Sequence, residues 1–231
     1  MDWHAPVDIY CERTDPSFWA EPLNAVSNLS FILAALWAGV EARRRALYWP
    51  SIWLLICLAA MIGIGSFLFH THATRWAALT DVVPIWLFVL CYALISIAHL
   101  GGVAPRRIAA GLAGLIALGV ALWLIWPAAD PAASAPADSP SRFNGSEQYL
   151  PAVIAMLIWS AVALWMRHRV RWWFVAATAT FILSLTLRTT DMALCDVWPY
   201  GTHLFWHLLN GTMIALLLQA LIRNTNKEVE P

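Results

Sequence analysis

Charged side chains are scarce in this sequence of 231 residues. Asp, Glu, Lys and Arg together make up 12% of it, whereas hydrophobic residues make up 61% and the mean hydropathy is +0.64. Soluble globular domains carry about 25% charged residues, so the composition excludes an ordinary soluble domain. The formal net charge is zero, and we expect no nucleic-acid partner.

Several familiar sequence signals are also missing. Residues 1–22 contain acidic residues but neither a basic start nor an apolar core, so no cleavable signal peptide is expected. No internal repeat is visible, which disfavours a transporter made of duplicated halves. The sequence has neither the HExxH motif of zincin proteases nor the D-x-D-x-D-G loop of EF-hand proteins.

Long apolar stretches dominate what is present, and seven of them can span, or nearly span, about 30 Å of hydrocarbon. They cover residues 24–42, 50–70, 80–99, 106–126, 149–166, 171–188 and 203–222. The predicted fold is therefore an all-α membrane protein, a seven-transmembrane helix bundle that forms one domain over residues 24–222. An acidic segment at 1–23 precedes this domain and a cytoplasmic tail at 223–231 follows it.

Basic residues predict the orientation of this bundle. With seven spans, most of them fall on one side: Arg43–Arg45, Arg106, Arg107, Arg167, Arg169, Arg171, Arg223 and Lys227. By the positive-inside rule, the amino terminus lies outside and the carboxyl terminus lies in the cytoplasm. The loop at 127–148, rich in Pro, Ala, Ser and Asp, is then a mobile connector outside the cytoplasm, or a lid over the bundle.

Three histidines lie inside the apolar stretches, namely His70, His203 and His207. An imidazole in hydrocarbon loses its hydration, so it needs a partner or a function there. His203 and His207 are four residues apart and share one helix face. Three imidazoles with an open fourth position are the ligand set of a catalytic zinc ion, although a single buried histidine is more often a hydrogen-bonded core residue.

Two more polar residues fall at the same predicted depth, near the outer leaflet. Ser66 precedes His70 by one helical turn, and Asp81 opens the next apolar stretch. Asp81 is the candidate general acid and base, or else it orients a histidine. The Ser66 hydroxyl can serve the metal water or an oxyanion, or else bond back to a helix carbonyl. The sequence therefore predicts a zinc hydrolase inside a membrane bundle.

A second polar group lies in the amino-terminal segment, with carboxylates at Asp8, Glu12, Asp15 and Glu21. Closely spaced carboxylates on a loop suit calcium, but a solvated acidic stretch with Glu21 capping the first helix explains them equally well.

Two of the four cysteines, Cys11 and Cys195, both fall on the predicted outer side. They can form a disulfide in an oxidising compartment, or remain two free thiols.

The segments CERTDPSFWAEPLNAVSN, GIGSFLFHT with the later Asp, and GTHLFWHLLN resemble the alkaline ceramidase family, and the chain is similar to a bacterial member. That family belongs to a wider group of seven-span hydrolases and receptors that includes the adiponectin and progestin receptors. The resemblance implies hydrolysis of ceramide, or of a related N-acylated lipid, to a sphingoid-type amine and a free fatty acid. It also implies a bacterial inner-membrane location with the amino terminus in the periplasm.

The resemblance further assigns roles to residues. It implies zinc on His70, His203 and His207, and catalytic roles for Ser66 and Asp81. It implies calcium bound by Asp8, the backbone at Tyr10, Glu12, Thr14 and Glu21.

Three functions follow as hypotheses. The first is an intramembrane zinc amidase acting on a lipid that arrives from the bilayer, with no protein partner. The second is a receptor or sensor that keeps the metal without turnover. The third is a bis-histidine haem protein that carries electrons, which explains neither Ser66 nor Asp81.

Overall fold

The computed structural model describes residues 2–125 and 143–225, and these ranges are mainly helical. Their α-helices are α1 (Pro22–Ser27), α2 (Leu29–Arg44), α3 (Pro50–His72), α4 (Arg75–His99), α5 (Pro105–Ile125), α6 (Leu150–Trp165), α7 (Arg171–Thr190) and α8 (His203–Asn224). Extended pairing in the described ranges is limited to one isolated bridge, between Pro6 and Thr74. The predicted all-α class is confirmed.

Five helical segments among the described residues are long and apolar enough to cross a membrane. They are Pro22–Arg44, which joins α1 and α2, Pro50–His72, Arg75–His99, Ser146–Trp165 and His203–Asn224. By length and composition the chain is thus an integral membrane protein. Helices α5 and α7 occupy the fourth and sixth predicted stretches, but the count of seven spans and the orientation stay predictions. Most of the predicted loop at 127–148, and the tail beyond residue 225, lie outside the described residues.

Helices α3 and α4 approach each other closely at Gly65. A side chain there would overlap the backbone carbonyl of Thr80, so only glycine permits this contact. Small residues let membrane helices approach in this way, because close packing rather than water exclusion drives their association. The contact brings the residues that follow Gly65 and Thr80, Ser66 and Asp81, to the interface of the two helices.

The amino-terminal segment, residues 2–21, lies across the ends of the bundle helices. The Val7 amide donates to the Ala73 carbonyl at 2.8 Å, just after α3. A disulfide joins Cys11 to Cys195, with their Cα atoms 5.5 Å apart. The buried Asp191 carboxylate accepts hydrogen bonds from the backbone amides of Cys11, Thr202 and His203, at 3.0, 2.7 and 2.9 Å. We call this end of the bundle the site end.

Candidate metal centre

The structure brings the three predicted histidines together at the site end. His70 comes from the last turns of α3, and His203 and His207 come from the first turns of α8. Each side chain is buried, and one ring nitrogen from each lies within 4.8 Å of the others. Within the described residues this is the one group of three or more His, Cys, Asp or Glu side chains placed to hold a metal ion.

The donor geometry fits a tetrahedral ion. The Nε2 atoms of His70 and His207 are 3.1 Å apart. Two nitrogens bound to zinc at 2.0–2.1 Å with tetrahedral angles would be about 3.3 Å apart. His203 Nδ1 is buried and has no hydrogen-bond partner. An unpaired buried nitrogen costs free energy of folding unless the imidazole binds another group, such as a metal ion.

A different neighbour fixes each imidazole ring. His70 Nδ1 lies 2.5 Å from Glu21 Oε2, and His207 Nδ1 lies 2.7 Å from the Ser27 hydroxyl. The His203 ring stacks on Tyr10, with 3.6 Å between ring centroids. Such partners set the tautomer and orientation of ligating histidines, and they leave the Nε2 atoms of His70 and His207 facing each other.

Ser66 and Asp81 lie beside this cluster. The Asp81 carboxylate lies near the Ser66 hydroxyl and near the side chains of His70 and Arg188. Ser66 is buried, whereas Asp81 is only partly so. Both predicted catalytic side chains are thus next to the histidines, and their roles stay predictions.

Arg188 is part of this site, although the sequence analysis did not single it out. Its side chain is 3% exposed, and Nη1 donates to the Tyr10 hydroxyl at 2.9 Å. The guanidinium also faces the rings of Tyr10, Tyr149 and Trp206 at 5.5–5.6 Å. Its position at the end of an apolar stretch could have indicated this role from the sequence, because an arginine there is rare without a partner or a function.

The predicted calcium ligands do not form a cage. Asp8 and Thr14 are exposed, whereas Tyr10, whose backbone was the predicted ligand, is buried. The Glu12 carboxylate accepts the backbone amides of Leu23 and Asn24 at 2.7 and 2.8 Å, so it caps the start of α1. Glu21 is fully engaged by protein groups. The residues present therefore do not fit calcium, because the carboxylates already satisfy protein donors and do not converge.

The pKa values of the Glu12 and Glu21 carboxyls shift in opposite directions. Burial raises the pKa of the Glu12 carboxyl, and the two backbone hydrogen bonds oppose this effect only in part. Burial also raises the pKa of Glu21, but the hydrogen bonds with His70, Arg13 and Asn24 outweigh it, so the pKa lies below its ordinary value. Burial raises the pKa of the Tyr10 phenol, which therefore stays a neutral hydroxyl.

An apolar cavity extends from the histidine cluster into the bundle. Phe31 and Trp206 line it, and their rings lie 6.4 Å from those of His207 and His203. Three helices carry a cavity residue and a site residue one turn apart on the same face. These pairs are Ile62 and Ser66 on α3, Ile85 and Asp81 on α4, and Asn210 and His207 on α8. The polar site therefore lies next to one end of this apolar cavity.

Residues of α4 and α6 line this cavity, and so do Trp86 and Tyr149, whose rings stack with 6.2 Å between their centroids. Apolar side chains beside it, such as Val83, Leu87 and Ile154, are exposed on the surface of the bundle. An exposed apolar surface of this kind suits contact with lipid.

Comparison with known proteins identifies a family for this chain. The family model described as Ceramidase matches residues 9–230, which is nearly the whole chain. A comparison with curated proteins gives no match. The matched range includes Ser66, Asp81 and the three histidines.

Proposed function

This chain belongs to the ceramidase family, and we propose that it is a zinc-dependent amidase acting within the membrane. Its substrate is ceramide or a related N-acylated lipid, and its products are a sphingoid-type amine and a free fatty acid. Family membership supports hydrolysis of a ceramide amide bond. The observation that carries the finer proposal is the position of Ser66, Asp81 and the histidine cluster beside an apolar cavity.

The cavity suits the hydrocarbon part of such a substrate. Its α8 face runs from Trp206 to Leu217, which is about 16 Å along a helix. Apolar walls favour a substrate with an acyl chain over a water-soluble amide. The cavity can hold the chain while the scissile bond lies at the site. The amide then lies at the polar end, beside His207 and Asp81.

The histidines and Asp81 divide the chemistry between them. His70, His203 and His207 would hold the zinc ion, which supplies a Lewis acid for the amide carbonyl when bound. Asp81 takes a proton from the attacking water while the water oxygen bonds to the carbonyl carbon of the substrate. Asp81 then gives this proton to the nitrogen as the carbon–nitrogen bond breaks.

Ser66 serves the carbonyl oxygen in this proposal. Its hydroxyl lies one turn from His70 and within reach of Asp81. A hydroxyl donor placed there stabilises the negative charge that develops on the oxygen during attack.

The geometry argues against the haem alternative. A bis-histidine haem needs two imidazoles that face each other across a porphyrin ring. The Nε2 atoms of His70 and His207 are 3.1 Å apart and leave no room for one. The receptor hypothesis uses the same metal centre without turnover, so only an activity measurement separates it from the amidase.

The test uses the purified full chain in lipid nanodiscs, loaded with zinc and given a fluorescent N-acyl sphingoid. We expect release of fatty acid by the wild type and none by His203→Ala. The matched control is His72→Ala, which removes an exposed histidine at the end of α3 and should leave turnover unchanged. Stoichiometric zinc without turnover of this probe or of native lipids would favour the receptor.

A further inference from the structure

Arg13 is a buried cation in the amino-terminal segment, and its side chain is only 5% exposed. Its guanidinium donates to four oxygen atoms from three parts of the chain. The acceptors are Glu21 Oε1 at 2.6 Å and the carbonyls of Asp15, Ser17 and His70 at 3.2, 3.5 and 2.9 Å. A guanidinium has five N–H donors in a planar fork, so this side chain can satisfy all four acceptors at once.

The oxygens around Arg13 are of the kind that surround calcium in proteins. Calcium takes carboxylate and backbone carbonyl oxygens, usually from a loop. Here one carboxylate and three carbonyls converge on a guanidinium instead. Glu21 was predicted to be a calcium ligand, and its carboxylate bonds to Arg13, His70 and Asn24.

We propose that Arg13 is a built-in cation that fixes the amino-terminal segment against the metal centre, so that the protein needs no calcium there. Arg13 is at the same time a positioning residue for His70. This second part rests on the proposed function, because it takes His70 as a zinc ligand.

The contacts explain how Arg13 can position that ligand. Nη2 holds the backbone carbonyl of His70, which lies in the last turn of α3, where carbonyls lack helical partners. Nε holds Glu21, whose other oxygen bonds to the His70 ring. One connected network therefore hydrogen-bonds to both the backbone and the imidazole of His70.

Removing the guanidinium would leave this network incomplete. Glu21 would be a buried carboxylate without its cation, and the His70 carbonyl would lose its donor. Breaking a buried ion pair on one side is strongly destabilising, because the remaining charge is unpaired. Loss of a group that orients a ligating histidine typically weakens metal binding about 10-fold to 100-fold.

The first experiment measures the calcium response. The zinc-loaded full chain in detergent is transferred to calcium-free buffer, and its Tm is recorded with and without added calcium chloride. We expect no change in Tm, because Arg13 supplies the cation. A rise in wild-type Tm that saturates with calcium would overturn the proposal, whatever the enzyme's activity.

The second experiment replaces Arg13 and follows zinc release to a colorimetric chelator. Arg13→Met should lower the Tm by on the order of 5 °C or more and release zinc on the order of 10-fold faster. Arg13→Lys keeps the charge but not the planar fork, so it should restore only part of both properties. The control is Arg75→Met, which removes an exposed arginine at the start of α4.

Equal zinc release and equal Tm in the Arg13 and Arg75 variants would contradict the positioning role. If Arg13→Met does not fold, Arg13→Lys carries the same comparison. A wild type that holds no zinc would refute the proposed function, while the calcium response would still test Arg13.

Discussion

Buried polar side chains gather at the site end of the bundle, whereas the far end of α2, α3 and α8 packs mainly through small and aliphatic side chains. At the site end the buried polar residues include Glu12, Arg13, Glu21, Asn24, Ser27, Ser66, His70, Arg188, Asp191, His203 and His207. The core of the far end includes Ala34, Ala38, Ala42, Ile52, Leu55, Ala59, Leu218 and Leu221.

Different forces predominate at the two ends, although Glu41 of α2 and Arg223 of α8 also form an ion pair at the far end. At the far end, alanines such as Ala38 and Ala59 let the helix backbones approach, and many weak dispersion contacts add up. At the site end, directional bonds join groups far apart in sequence, as when Arg13 contacts His70. Such bonds fix side-chain positions closely, which a metal centre requires and a packed core does not. The fold should therefore survive changes that destroy the site.

The largest expected effect follows from removing a zinc ligand. His70→Ala should abolish both stoichiometric zinc and amide hydrolysis, because two imidazoles do not complete the ligand set. The apolar far end should keep the helices formed, so far-ultraviolet circular dichroism should remain close to that of the wild type. Metal content is measured by mass spectrometry. Retention of one zinc per chain in this variant would exclude His70 as a ligand.

A smaller effect is expected for the acid–base residue. Asp81→Asn should leave zinc content and Tm unchanged but lower turnover by about 10²–10⁴-fold. The asparagine side chain cannot accept and return the proton as a carboxylate does. The measurement is single-turnover hydrolysis of the fluorescent lipid by zinc-loaded protein. Wild-type turnover in Asp81→Asn would show that Asp81 only supports the structure around His70.

Ser66→Ala should lower turnover less than Asp81→Asn does. Loss of one hydrogen bond to a developing oxyanion lowers turnover by about 10²–10³-fold. Zinc binding should be unchanged, because Ser66 is not a proposed ligand. Thr71→Ala is a matched control, since the buried Thr71 hydroxyl bonds back to the Phe67 carbonyl of α3. An equal loss in both variants would indicate a general disturbance of α3.

The contrast between the apolar far end and the polar site end also separates what the sequence could predict from what it could not. The stretches at 50–70 and 203–222 correspond to α3 (Pro50–His72) and α8 (His203–Asn224), because a membrane helix depends on its own hydropathy. The histidine cluster was predictable too, because each buried imidazole is conspicuous in an apolar stretch.

The surroundings of the histidines were not predictable in this way. Glu21 bonds to a histidine 49 residues away, and Arg13 reaches a carbonyl 57 residues away. Local pattern gives no information about such pairings, so the acidic segment resembled a calcium site. Its own arginine supplies the countercharge, and only the three-dimensional arrangement reveals this.

The smallest effect on turnover is expected at the far end. Leu218 is fully buried in the core between α8 and its neighbours and does not line the cavity. Leu218→Ala should lower the Tm by on the order of 10 °C, because the lost side chain leaves a void that the neighbours fill only partly. Turnover per folded, zinc-loaded molecule should stay within about twofold, since no bond to the site changes. Leu208→Ala, on the same helix but 42% exposed, is the control and should change neither property. If Leu218→Ala instead reduced turnover as much as Ser66→Ala, the two ends would be mechanically coupled, and the division between a packed far end and a bonded site end would fail.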